Sequence, residues 1–302
     1  MYSKIALIST LIPFLRVYAQ SIPTTATELQ LQTVDAQYDV EGFSGTDPTT
    51  AFGIDLLSQA LLTIVYPTAS VGVDSLGKPL TAVAVSELPQ AYITPSTEHL
   101  TNFTSATTFT VTLADASALG HPDAQGNFRH YLKNGVTLSA APSAENQTAG
   151  LVLGGSGGNT VTFYAGPGPN AGEGPHRYAW LVFREPQGFT APAEPSSSEG
   201  AAHWSLSSYV TAANLGTPVA AAFFTVENGQ ATYSVAPTSS VNPQTLPAAT
   251  ETKSNEVSIQ NPTGTTGTGA PGSTTTGGGN SAAGKVGVSV VAAVGALVAL
   301  AL

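Results

Sequence analysis

Two side chains with hydrogen-bonding heads, His176 and Tyr178, stand where a loop rich in glycine and proline runs into an apolar segment. The stretch from 164 to 184 reads YAGPGPNAGEGPHRYAWLVFR. Tyr178 to Phe183 is aromatic and β-branched over the length of a strand, and the Gly-Pro and Pro-Asn steps upstream can continue neither strand nor helix. A rigid loop therefore delivers His176, Arg177 and Tyr178 to the start of a buried strand. Side chains at i and i+2 of a strand share a face, so the imidazole and the phenol point the same way. Both are hydrogen-bond donors, and loops held by a rigid scaffold are where binding groups concentrate. The plainer reading is a turn followed by a core strand whose His and Tyr are merely satisfied.

The order Y-x-G-x-G-P-x-x-G-x-G-x-H-R-Y-x-W-L-V-F, which runs from Tyr164 to Phe183, closely resembles the second signature of the phosphatidylethanolamine-binding protein family. That family includes Raf-kinase inhibitor proteins and plant flowering signals. Three other stretches resemble it in the same order. Leu62 to Tyr66, Val73 to Leu80 and Leu88-Pro89 look like its opening strands. Phe109 to Ser117 followed by Phe128 to Leu132 looks like a degenerate first signature. Ser205 to Tyr209 and Leu215 to Val226 look like its C-terminal helix and strand. The resemblance covers residues 60 to 228 and implies an all-β sandwich with a few short peripheral helices and a small anion-binding pocket at one end.

Carried across residue by residue, the family's pocket implies Asp115, His130, His176 and Tyr178 as ligand-binding residues, with Gly166, Pro167 and Pro169 shaping the rim. Two imidazoles and a phenol would donate to anionic oxygens, the strong kind of hydrogen bond, and a carboxylate beside them would receive a ligand ammonium. The chain departs from the family at D-P-D-A-P, where it has Asp115-Ala-Ser-Ala-Leu119. Ser117 replaces the second Asp and both prolines are missing, which removes rigidity and part of the polar lining. Phe128 stands where the family has Trp.

Both ends of the chain read as targeting signals. Met1 to Ala19 carries Lys4, then an apolar run from Ile5 to Leu15, and closes on small residues, a secretory signal cleaved after Ala19. Small residues from Gly277 to Gly284 precede the apolar tail Val286 to Leu302, the pattern of a glycosylphosphatidylinositol signal with attachment at Asn280 and removal of residues 281–302. Between them lie a folded domain over 20–234 and a flexible, O-glycosylated stalk of Ser, Thr, Pro and Gly over 235–280. Asn102-Phe-Thr104 and Asn146-Gln-Thr148 are N-glycosylation acceptors that would mark surface loops. The expected location is the outer cell surface, lipid-anchored to the plasma membrane or transferred to a cell wall, a layout that looks like a fungal surface protein.

The formal net charge is −10, and removal of the two ends takes Lys4, Arg16 and Lys285 while all nineteen acids stay. Such a surface repels nucleic acid. The chain has no cysteine, so its fold rests on a hydrophobic core, and thiolate chemistry is excluded. Residues 20 to 46 read as an extended lead-in, and Asp47-Pro48 as the start of a short helix carrying Phe52, Leu56, Leu57 and Ala60. Ser205 or Ser207 caps a second helix through Ala213, and Val219 to Val226 returns as a buried strand.

Competing chemistry is weaker. Gly154-Gly-Ser-Gly-Gly158 satisfies the form of a nucleophile elbow, but that motif needs a helix after the serine. Asn159 to Phe163 reads as strand instead, so a hairpin turn is expected. His121 and Asp123 with His130 and Asp115 match no established metal spacing, and His99 and His203 read as surface residues. No metal or cofactor is expected. The leading expectation is a non-enzymatic protein that binds a small anionic or zwitterionic group, such as a phosphate ester or phospholipid head group. The alternatives are an interaction module acting on an extracellular protease, and a wall-directed hydrolase, which lacks a credible nucleophile.

Overall fold

The computed structural model describes residues 22–45, 51–120, 127–195, 201–202, 204–234 and 239–249. The expected cleavage site at Ala19, the attachment site at Asn280, His121, Asp123 and His203 lie outside them. Among the described residues ten strands form two sheets. The smaller has the order β2 (Ser70–Val71), β1 (Ala60–Val65), β4 (Gln90–Pro95), β7 (Ala149–Leu151), with every pairing antiparallel. The larger runs β3 (Pro79–Leu80), β10 (Ala220–Val226), β9 (His176–Arg184), β5 (Phe109–Ala118), β6 (Phe128–Val136), β8 (Asn159–Thr162). Only its β3–β10 edge is parallel. The all-β sandwich is as expected.

β9 is the centre of the larger sheet, which explains its unbroken apolar run. Tyr178, Trp180 and Val182 face the core between the sheets with Leu62, Ile64, Ile93, Leu113 and Phe224. Ala179, Leu181 and Phe183 face an outer layer with Leu31, Val34, Tyr38, Phe43 and Phe52. A strand covered on both faces has no reason to alternate with polar residues. Trp180 and Tyr66 meet the wetter demand of their polar atoms by pairing, Trp180 Nε1 donating to the Tyr66 hydroxyl at 3.0 Å.

The outer layer corrects the reading of the N-terminal region. Residues 28–40 are not an extended lead-in but a helix, α1 (Glu28–Val40). Thr27 and Gln30 form a reciprocal capping box, and Leu31, Val34 and Tyr38 recur at helical spacing to bury one face. The helix expected to start at Asp47-Pro48, which lie outside the described residues, is absent over Phe52 to Ala60. That segment has no regular structure up to residue 58, with Gly53 at φ 66; the Leu57 and Gln59 amides donate to the Pro218 and Val219 carbonyls instead, and Ala60 already begins β1. The second helix is as read: α2 (Leu206–Ala212), capped by Ser205, whose hydroxyl accepts from the Ser208 amide at 3.2 Å.

Two further expectations shift. Gly154 to Gly158 does lead into a strand, but it is no hairpin turn, since β7 and β8 belong to different sheets. It crosses between the sheets, tied by the buried Lys133 ammonium, which donates to the Leu153 carbonyl at 2.9 Å and the Gly154 carbonyl at 3.3 Å. Residues 239–249, assigned above to the stalk, lie against α1. The Val241 amide donates to Gln37 Oε1 and the Ala248 amide to Gln32 Oε1, both at 3.0 Å.

α1 also carries a carboxyl that contributes to the pH dependence of stability. Burial raises Asp35 to about 6, against the hydrogen bond it accepts from the Ser58 amide at 3.1 Å. The fold therefore prefers Asp35 protonated, and stability is lost as pH rises from about 4 through 6. Asp115 works the other way: burial raises it, but His130 and His176 outweigh that and hold it at about 2. Its contribution is present above about 4 and is lost as pH falls through 2. Urea midpoints across pH are expected to peak near pH 4, and Asp35→Asn is expected to flatten the limb between 4 and 6. An unchanged limb in that variant would assign the slope elsewhere.

Candidate functional site

Three neighbouring strands bring the site together. In the ladder Asp115 of β5 sits opposite Tyr178 of β9 on one side and Phe128 of β6 on the other. Two irregularities then decide which side chains reach inward. Between Asp115 and Ala118 the β5–β9 register shifts, with Ser117 at φ 56. Asp115 Oδ1 accepts from the Ser117 amide at 2.6 Å, which closes this bulge and leaves Oδ2 for the site. The second irregularity, between Leu113 and Ala114, leaves His130 without an opposite residue. His130 and Tyr131 consequently both turn to the inner core. Arg129 faces outward, its guanidinium 5.4 Å from the Trp204 ring centroid.

Asp115 Oδ2 is the hub. His176 Nδ1 lies 2.9 Å from it and His130 Nε2 3.9 Å. The second nitrogen of His130, Nδ1, is 2.8 Å from the Ala165 carbonyl. A carbonyl only accepts, so Nδ1 carries the proton and Nε2 is directed to the centre. The Tyr178 ring packs edge-on to His130 with centroids 5.3 Å apart and parallel to His176 at 6.4 Å. Tyr178 is 0% exposed, and its hydroxyl has no hydrogen-bond partner among the described residues. Burial and the nearby Asp115 carboxylate push that phenol far above its ordinary range, so it stays a neutral donor.

Every sequence-predicted member of the cluster is therefore brought together, and the rim residues lie beside it. Pro167 and Pro169 are buried, and Gly166 approaches the backbone of residues 85 and 86 so closely that a Cβ would sit 2.9 Å from Ser86 Cα. The Asn228 amide nitrogen donates to the Pro169 carbonyl at 3.1 Å and holds that loop down.

Reading by sequence missed two contributors. Arg177, 2% exposed, donates to the carbonyls of Ala116 at 2.7 Å, Ser117 at 3.1 Å and Glu41. It thus braces the β5 bulge around Ala116 and Ser117. The signal was present, a cation in an otherwise apolar strand. The other is Glu173, whose Oε2 lies 3.4 Å from His176 Nε2; nothing in its loop composition singled it out.

Of the remaining expectations, Asn146 lies exposed in a loop. Asn102 is half-buried, its amide donating to Gln59 Oε1 at 3.0 Å and accepting from Arg184 Nη1 at 2.8 Å. His99 is half-buried in a 3₁₀ turn rather than plainly on the surface. No group of three or more His, Asp or Glu among the described residues is arranged to hold a metal ion. An open cleft of about 620 Å³ lies at the far end of β9, around Asn102, Arg184 and Phe189, and does not include the cluster.

The family model described as phosphatidylethanolamine-binding protein matches residues 74–233. No curated protein matches the chain. Among solved structures, a carboxypeptidase Y inhibitor complexed with its cognate proteinase is similar at TM-score 0.51 and 22% identity, over 66% of this chain and 96% of that one. Phosphatidylethanolamine-binding protein from Plasmodium falciparum is similar at TM-score 0.43 and 15% identity, over 69% of this chain and 99% of that one.

Proposed function

This chain belongs to the phosphatidylethanolamine-binding protein family, and from that premise we propose that it is a non-enzymatic binding protein whose Asp115–His130–His176–Tyr178 cluster takes a small oxyanion, a phosphate ester or a carboxylate. One observation carries the reading. The buried Tyr178 hydroxyl, near the Asp115 carboxylate but without a hydrogen bond of ordinary geometry among the described residues, belongs to a ring packed against two imidazoles from separate strands. Buried donors are nearly always satisfied, so an unsatisfied hydroxyl beside two imidazoles, each of which gains a second donor when its ring is protonated, calls for an acceptor from outside. The hydroxyl donates directly, His130 Nε2 and His176 Nε2 donate when their rings are protonated, and Asp115 orients His176.

Titrating the purified protein with inorganic phosphate, acetate and phosphoethanolamine by NMR tests this. Millimolar ligand is expected to shift the resonances of His130, His176 and Tyr178, and His176→Ala is expected to abolish the response. Flat resonances for all three ligands would reject the reading.

A second reading is a protein partner, an extracellular protease, favoured by the likeness in fold to nearly the whole of a carboxypeptidase Y inhibitor. In an assay against carboxypeptidase Y, inhibition that survives double substitution of His130 and His176 by alanine would assign it to surfaces outside the cluster. No inhibition by the unchanged protein would remove this reading for that enzyme.

A further inference from the structure

If the cluster is an oxyanion site, one of its donors is already in use. Both nitrogens of His176 face carboxylates, Nδ1 to Asp115 at 2.9 Å and Nε2 to Glu173 Oε2 at 3.4 Å. The two carboxylates differ in kind. Asp115 is buried and bound into the β5 bulge. The Glu173 side chain is 38% exposed, so it covers the His176 edge of the cluster from the solvent side.

Its loop is built to hold it there. The Asn170 amide donates to Glu173 Oε2 at 3.1 Å and Asn170 Nδ2 to Oε1 at 2.9 Å. Glycines at φ 86 and 75 flank it, Gly172 and Gly174, a backbone shape other residues adopt only with strain. The loop backbone is tied to the following segment: the Gly172 amide donates to the Asn228 carbonyl, the Thr232 amide to the Gly172 carbonyl, both at 3.0 Å, and the Tyr233 hydroxyl to the Glu173 carbonyl. The backbone is pinned, whereas the exposed side chain turns away by rotation about its own bonds at the loss of two hydrogen bonds from one residue.

We propose that Glu173 is an internal anion, a carboxylate that occupies the His176 Nε2 position of the site, so that an external oxyanion binds only by displacing it. Glu173 is then an affinity-limiting residue. It subtracts from the affinity for every small anion, because two negative groups compete for one imidazole edge. Tyr178 and, when its ring is protonated, His130 remain as the donors that the internal carboxylate does not reach. The proposal rests on the oxyanion reading above, and its test separates the two.

Inorganic phosphate is titrated into the unchanged protein, Glu173→Gln and Glu173→Ala, with the His176 ring resonances as the readout and His176→Ala as the reference. Both Glu173 variants are expected to bind phosphate about fivefold tighter or more, the scale of a partly exposed charge pair. Because Glu173 is at the surface, its thermal midpoint is expected to stay close to that of the unchanged protein, and Glu173→Gln retains the shape if alanine loosens the loop. Without any phosphate, Glu173→Gln is also expected to move the His176 ring resonances, a direct sign of the contact. Equal or weaker phosphate binding in both variants, with binding still lost in His176→Ala, would overturn the internal anion and leave the oxyanion site standing. No phosphate response in any of the proteins would overturn both.

Discussion

Arg177→Met is expected to lower the free energy of unfolding by about 3–5 kcal/mol, the largest stability effect of any single polar substitution around the site. Methionine keeps an apolar stem over the Phe43 ring, which the guanidinium now covers at 5.3 Å. It provides no donors for the carbonyls of Glu41, Ala116 and Ser117. Each buried carbonyl left unsatisfied costs about 1–3 kcal/mol. Burial lowers Arg177 to about 10, against the raising effect of Glu41 and Asp115, so the guanidinium remains charged at neutral pH and its hydrogen bonds are of the strong kind. Arg177→Lys retains the charge without the planar fork, and an intermediate loss is expected. Urea unfolding measures the cost. A loss under about 1 kcal/mol for methionine would mean that water satisfies these carbonyls and that the bulge holds its shape unaided. The functional corollary follows from position: the carbonyls lie in the bulge that aims Asp115, so the His176 resonances are expected to respond to phosphate less strongly even where the variant is folded.

Gly158→Ala is expected to be nearly as damaging, with a loss of about 3 kcal/mol or more. A Cβ there would lie 2.3 Å from the Asn134 carbonyl oxygen and 2.8 Å from that of Gly135, both backbone atoms, and Gly158 sits at φ +73. The neighbouring glycines serve as internal controls. Gly155 has φ +80 with nothing within 4 Å, so alanine there carries only the left-handed penalty of about 1–2 kcal/mol. Gly157 has open space and no such backbone angle, and alanine there is expected to be close to neutral. The order Gly158, Gly155, Gly157 in urea midpoints is the measurement; three equal effects would show that the crossover is held by composition rather than by this contact. The result also bears on the G-x-S-x-G pattern, whose last glycine here serves the passage of the chain beside β6.

Much of the fold was legible because the physical signals were local. The β9 run from His176 to Arg184, the strand after the glycines at Asn159, the α2 cap at Ser205 and the return at Ala220–Val226 all stand at or near their expected bounds. Each depends on residues close in the chain: a breaker, a cap, an apolar run. α1 was legible in the same way and was passed over, since Thr27 and Gln30 with Leu31, Val34 and Tyr38 are a capping box and an apolar stripe. The segment at Phe52 to Ala60 shows the opposite case. Its helical spacing is real, but backbone partners at Pro218 and Val219, far along the chain, take the Leu57 and Gln59 amides that a helix would have used.

The sequence by itself determined the family and the sandwich, because the His-Arg-Tyr signature and the strand periods are properties of neighbouring residues, and through the family resemblance it named Asp115, His130, His176 and Tyr178. Only the tertiary structure decided how that cluster is aimed. Strict alternation along β6 would put His130 and Tyr131 on opposite faces, and a bulge paired against β5 turns both inward. The acidic partner at Glu173 and the three carbonyls under Arg177 likewise arise from distances between segments that no local pattern specifies. Register irregularities and long-range hydrogen bonds are set by what a strand meets across the sheet, and composition along one strand does not record it.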